Sequence, residues 1–141
     1  MTFKSRKGIF FSLLTIGFAL VSTSLCFLAL FANEAFVPTP LVILFLLTSG
    51  LLLWAYFGTK YELTKDSLKY RSAFLRGTIQ VNRIHTIIKN KTMLSGIKPA
   101  TAGQGLIVKF DTYDEIYISP ASNDSFVEYL KGLNPQIKIE E

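Results

Sequence analysis

Two residue types that carry much of protein chemistry are almost missing. The 141-residue chain holds one cysteine, Cys26, and one histidine, His85. A single cysteine excludes an intramolecular disulfide framework and any cysteine-based zinc site. One histidine with no cysteine near it builds no metal centre, so no metal ligands and no cofactor are expected. The sequence patterns that cradle phosphates or present a nucleophile are missing too: there is no G-x-x-x-x-G-K-[ST], G-x-G-x-x-G or G-x-S-x-G. Asp111, Asp114 and Glu115 cluster between two strand-like runs, where acidic residues are ordinary turn formers. No catalytic residue emerges, and the expectation is a protein that is not an enzyme. Nucleic acid is not an expected partner either. The stretch after residue 57 has twelve Lys/Arg against nine Asp/Glu. Its aromatics Tyr61, Tyr70, Phe110 and Tyr129 fit inward faces and do not form an exposed stacking platform.

Charge is absent altogether from 8–32, "GIFFSLLTIGFALVSTSLCFLALFA". A helix needs roughly 20 apolar residues to cross a bilayer, so this run crosses with room for tilt. It is longer than the 7–15 apolar residues typical of a signal peptide, and Leu30-Phe31-Ala32 lacks the small residue a cleavage site needs. A second run, 41–57, "LVILFLLTSGLLLWAYF", follows Pro40 and ends in Trp54, Tyr56 and Phe57, as an interfacial aromatic belt would. The intervening 33–40 segment, with two prolines, reads as an external turn. Ser12, Thr15, Gly17, Ser22, Ser49 and Gly50 are small enough for close helix packing. None of these small residues is ionisable, which argues against a transporter or channel. Lys4, Arg6 and Lys7 precede the first span and Lys60, Lys65, Lys69 and Arg71 follow the second, while the connecting loop has no Lys or Arg. The positive-inside rule then places both termini and residues 58–141 in the cytoplasm. The expected organisation is 1–7 basic N-terminus, 8–32 and 41–57 transmembrane helices, and 58–141 a cytoplasmic domain.

After Phe57 the apolar period becomes two. Tyr61 and Leu63, then Leu68 and Tyr70, then Ile79 and Val81 alternate with polar residues. "AFLRG" reads as a turn before "TIQV". In "RIHTIIKN", 83–90, the alternation breaks between Ile84 and Ile87/Ile88, which predicts a bulge. "GLIVKF" and "EIYIS" flank "DTYD" as a hairpin. The period then becomes helical: Phe126, Tyr129, Leu130 and Leu133 share a face, Ser122, Asn123 and Asp124 cap its start, and Gly132 and Pro135 end it. Six short antiparallel strands need a bent sheet or half-barrel, with a helix plugging one end, to cover a core. The fold class is therefore an α+β membrane protein: a transmembrane helical hairpin, then an antiparallel β half-barrel of pleckstrin-homology (PH) type capped by a C-terminal helix.

Three stretches also resemble the bacterial membrane-anchored PH-domain family: "Y-x-L-x-x-x-x-L-x-Y-R-S-x-F", "I-x-V-x-x-I-x-x-I" and "I-Y-I-S-P". The resemblance covers about 59–136 plus the two-span anchor. It implies the fold and a location in the bacterial cytoplasmic membrane. One family member is an immunity protein against a peptide bacteriocin, and the resemblance supplies no catalytic residues.

Two candidate sites follow. Lys65, Lys69 and Arg71 have the spacing with which basic residues on the first strands of lipid-binding PH domains grip phosphorylated headgroups, and anionic lipid is the ligand they suggest. The aperiodic stretch 91–105 is long for a connection, and mixes Met93, Leu94 and Ile97 with Lys91 and Lys98. It suggests contact with the lipid bilayer or with a membrane-associated protein or peptide. A structural subunit of a membrane complex is the remaining reading. Oligomeric state is not legible.

Overall fold

A computed structural model describes residues 1–31, 38–93 and 95–141. Most of the expected 33–40 turn, and Leu94, lie outside the described residues.

The uncharged runs form helices α1 (Ile9–Phe31) and α2 (Thr39–Gly58), with proline in the first turn of α2. Both are long and apolar enough to cross a membrane. They pack antiparallel: Phe18 stacks on Phe45 at 5.6 Å and Phe11 on Tyr56 at 6.2 Å. One turn beyond Phe18, Ser22 Oγ lies 2.6 Å from Ser49 Oγ, and each hydroxyl is also placed to donate to the Phe18 carbonyl. Small hydroxylic residues thus let the backbones approach while satisfying their own polar atoms.

The domain contains the six expected strands: β2 (Lys60–Leu63), β3 (Ser67–Ser72), β4 (Leu75–Gln80), β5 (Ile84–Lys91), β6 (Gly105–Phe110) and β7 (Asp114–Ile118). Two more strands stand where none was expected. The N-terminal segment is not only a basic flank: β1 (Thr2–Lys4) pairs antiparallel with β2. At the other end β8 (Lys138–Glu140) pairs parallel with β5. The strands form two four-stranded sheets, ordered β1-β2-β3-β4 and β7-β6-β5-β8. A bridge between Ser5 and Pro120 ties the first edge of one sheet to the first edge of the other.

The expected bulge is present, twice. The β5–β6 register shifts around His85 and again around Asn90, whose φ is 56°. The β3–β4 turn is tighter than "AFLRG" suggested. Ser72 pairs with Leu75, so only Ala73 and Phe74 make the turn, with Ala73 at φ 48°.

Helix α3 (Asn123–Leu133) starts at Ser122, whose Oγ accepts from the Ser125 N–H, with Asp124 in the first turn and Lys131 in the last. Its buried Phe126, Val127 and Leu130 meet Phe3, Tyr61, Leu63, Leu68, Ile87, Leu106 and Ile118 in one core. Tyr129 is not on the inward face as expected. It is 36% exposed and stands edge-on to Phe3 at the core's margin.

Candidate functional site

Alternation along β1–β4 sends Phe3, Tyr61, Leu63, Leu68 and Ile79 inward and charged residues outward. The register then places Lys4 opposite Lys60, Lys60 opposite Arg71, and Arg71 opposite Arg76. Directly opposed residues share a face, so four cations form one row across the outer surface of the sheet, all exposed. The row beyond it reads Thr2, Glu62, Lys69 and Thr78. The cationic row lies at the helix end of the sheet, because Lys60 comes two residues after the last residue of α2. Among the described residues the ion pairs are Arg83–Asp111 and Lys89 with Asp124 and Glu141, and none involves the row. Like charges facing one another across strands destabilise a sheet, so this surface suits an anionic counterpart.

Of the basic trio in the sequence, Lys69 and Arg71 share this face, and with Lys60 and Glu62 they line an open groove of about 240 Å³. Lys65 is not with them. It sits in the β2–β3 turn, which is closed by the Thr64 N–H to the Ser67 carbonyl at 2.9 Å, and lines a separate polar cavity of about 490 Å³ with Asp66, Asn82 and Asn134. Arg71 is four residues along the strand from Ser67, roughly 13 Å toward the helices at a strand's rise per residue. Sequence spacing suggested one cluster, but the strand runs its members apart. Lys4, Lys60 and Arg76 were missed because pairing alone joins them. Lys60 and Arg71 could have been matched by counting outward from the Thr64–Ser67 turn.

The 91–105 stretch is not a free loop. Met93 is only 6% exposed and is therefore not a surface contact. Ile97 bridges to Ile116, with the Tyr117 N–H donating to the Ile97 carbonyl at 3.0 Å, although its side chain is 51% exposed. Lys91 is exposed and Lys98 half-buried. The Gly8 N–H donates to the Thr101 carbonyl at 2.9 Å. A Cβ at Gly8 would stand 2.9 Å from both that oxygen and Ala102 Cα, so only glycine admits this approach. The loop thus seats against the start of α1. Between them runs a mainly apolar groove of about 410 Å³, lined in part by Phe10, Phe11, Met93 and Lys98.

Beneath this loop lies a buried polar hub that sequence reasoning missed. Ser5 Oγ is 2.9 Å from Ser119 Oγ, 3.0 Å from Thr101 Oγ1 and 3.2 Å from Tyr61 Oη. Tyr61 donates to the Pro99 carbonyl and accepts from the Ser119 N–H at 3.1 Å. The "I-Y-I-S-P" step contains Ser119, the one sequence signal for it. These hydrogen bonds join β1, β2, β7 and the loop. Burial, opposed in part by the hydrogen bonds from Ser119 and Ser5, pushes the Tyr61 phenol above its ordinary 10.0. The sign follows: above pH 10 the unfolded chain releases this proton while the folded one keeps it, so stability falls as pH rises. Tyr61→Phe is expected to lower stability at neutral pH by about 1–3 kcal/mol, through the unpaired Ser119 and Pro99 groups. It should also flatten the alkaline decline; thermal melts of both chains from pH 8 to 11 check this.

Three further titratable groups make structural contacts. The Arg83 guanidinium grips both Asp111 carboxylate oxygens through Nε and Nη2, and its pKa is raised by that hydrogen bonding and by the carboxylate's charge. The exposed His85 has Nε2 2.9 Å from the Asp111 carbonyl and Nδ1 2.9 Å from Thr86 Oγ1. Lys89 reaches Asp124 at 2.6 Å, which raises its pKa and ties β5 to the start of α3. Among the described residues no group of three or more potential metal ligands occurs.

Comparison with known proteins bears on the fold. Residues 59–134 match the family model described as a bacterial PH domain. The chain is similar to the uncharacterised protein YyaB of Bacillus subtilis (strain 168), with 24% identity over 98 residues, covering 69% of this chain and 67% of the relative. No solved structure matches significantly. The matched segment runs from the end of α2 to the end of α3, and the chain belongs to the bacterial PH-domain family.

Proposed function

We propose that this chain is a membrane-anchored binding module without enzymatic activity, whose PH-like domain recognises a membrane-associated protein or peptide. It lies in the bacterial cytoplasmic membrane, crossed by α1 and α2, with both termini and the domain in the cytoplasm. The basic residues beside both spans support that orientation. The pairing of β1 with β2 supports the hairpin, because it keeps the segment before α1 beside the segment after α2.

The observation that carries the binding role is the free edge of β4. Among the described residues β4 pairs only with β3, whereas β1 is tied to the second sheet through Ser5 and Pro120. This six-residue unpaired edge starts at the helix end with Leu75 and runs away from it to Gln80, and it offers main-chain donors and acceptors to an extended peptide. The 91–105 stretch, with Met93 buried, supports this role less well. Its Lys91, Ile97 and Lys98 would at most flank a partner. Immunity to a membrane-active peptide is one concrete form of the proposal.

A photo-crosslinking residue at Gln80, on β4, tests it against the same residue at Tyr113, in the β6–β7 turn. In cells the account expects one discrete adduct at Gln80 and none at Tyr113. The same adducts at both positions would contradict it.

A further inference from the structure

Phe74 is 67% exposed at the apex of the β3–β4 turn, where a polar residue or glycine is usual. Its position explains the exposure. Ser72, two residues before it, has its Oγ 2.7 Å from Thr59 Oγ1, and Thr59 in turn donates to the Ala55 carbonyl in the last turn of α2. The hairpin tip is thereby held beside the end of α2, close to its aromatic cluster. There Trp54 and Phe57 are exposed, and Lys7 Nζ lies 4.2 Å from the Tyr56 ring centroid and 4.5 Å from that of Phe57. Immediately behind Phe74, on the outer face of the sheet, stands the row Lys4, Lys60, Arg71 and Arg76. An apolar tip with cations behind it matches the order of a bilayer interface, acyl boundary first and phosphates next.

We infer that the β3–β4 hairpin is a lipid-contact device. Phe74 enters the interface of the bilayer that α1 and α2 cross, and the row Lys4–Lys60–Arg71–Arg76 rests on anionic lipid headgroups. The occupant is the bilayer, for two reasons. The row makes no ion pair among the described residues, and Ser72 and Thr59 hold the tip beside the end of α2, where Trp54 and Phe57 are exposed. The inference rests on the helices crossing the membrane but not on the proposed partner at the β4 edge. It sets how the domain stands on the membrane, and therefore which way that edge faces.

The full chain in lipid nanodiscs tests it, with acyl chains brominated near the headgroup as fluorescence quenchers. Trp54 is the sole tryptophan, so in the parent chain its quenching reports the span alone. In a Trp54→Phe, Phe74→Trp chain the new indole reports the hairpin. The expected result is strong quenching at position 74 in discs containing phosphatidylglycerol. That quenching should fall with salt, and several-fold with Arg71→Gln and Arg76→Gln, at roughly fivefold in the seated population per cation removed. A Tyr113→Trp control in the Trp54→Phe chain should stay unquenched. Unquenched indole at 74 in a chain whose parent shows quenched Trp54 would overturn the inference. Quenching at 74 that is equal in neutral discs and indifferent to both arginine changes would overturn the role of the row. Unquenched Trp54 would instead contradict the spans themselves.

Discussion

The fragment 58–141, cut at the end of α2, is expected to be unfolded or barely folded. The same fragment carrying residues 1–6 on a flexible linker should fold. Cutting at Gly58 removes β1. That strands the backbone groups of Leu63 that bond Met1, the Thr59 carbonyl that accepts from Ser5, and the Ser119 carbonyl that accepts from Arg6. It also uncovers Tyr61 and Phe126, against which Phe3 packs, and takes Ser5 from the polar hub. Burial of one phenylalanine and four or five backbone hydrogen bonds together stabilise by about 5 kcal/mol. A small domain holds only about 5–15 kcal/mol in total. Circular dichroism and urea titration of the two fragments check this. Equal midpoints would mean that β1 contributes nothing.

Phe126→Ala should be nearly as damaging. Phe126 is fully buried, 5.0 Å from the Phe3 ring and 6.5 Å from the Tyr61 ring, at T-shaped angles. Truncating a buried phenylalanine costs about 3–5 kcal/mol, because a cavity remains where packing cannot close. Phe126→Leu should recover more than half of that loss. Both variants are read by thermal melts of the full chain in detergent. A Phe3→Ala partner should be non-additive with Phe126→Ala, since the two rings touch and their loss is shared. An alanine variant within about 0.5 kcal/mol of the parent would place Phe126 outside the core.

The residues that spoke clearly in the sequence were those whose neighbours in space are also neighbours in the chain. Tyr61 and Leu63, Leu68 and Tyr70, and Ile116 and Ile118 alternate over a few positions, and their strands were legible. Phe126, Leu130 and the Ser122–Asp124 cap gave α3 to within a residue or two. The broken alternation in 83–90 announced the bulges without locating Asn90. What failed to show was pairing across long separations. Thr2–Lys4 is three residues long, and nothing local marks it as a strand. Only the unfilled edge of β2, 56 to 60 positions away, makes it one. Lys138–Glu140 is similar, a short polar segment completed by β5.

Gly77 misled for a different reason. A glycine after "AFLR" reads as a turn, yet Gly77 lies within β4 opposite Tyr70, whose ring occupies the space a side chain would take. The real turn uses Ala73 in a left-handed conformation, for which the sequence has no customary turn residue. The candidate site followed the same logic. Lys69 and Arg71 were visible as alternate residues on one strand, but Lys4, Lys60 and Arg76 join them only through register. Lys65 was grouped with them by spacing, and the strand direction separated it.

One measurement bears most directly on the claim that the N-terminal strand clamps the helical hairpin to the PH-like domain. Met1 and Leu63 exchange two backbone hydrogen bonds, and Ser5 donates to Thr59. Lys4 and Lys60 therefore form a non-hydrogen-bonded pair, with Cα atoms about 4.5 Å apart in ordinary sheet geometry. That separation lies within the range a disulfide spans. In a Cys26→Ala chain carrying Lys4→Cys and Lys60→Cys, mild oxidation of isolated membranes should form the bond nearly to completion. Lys4→Cys with Tyr113→Cys should form none. Two accessible thiols at positions 4 and 60 that fail to join would contradict the account.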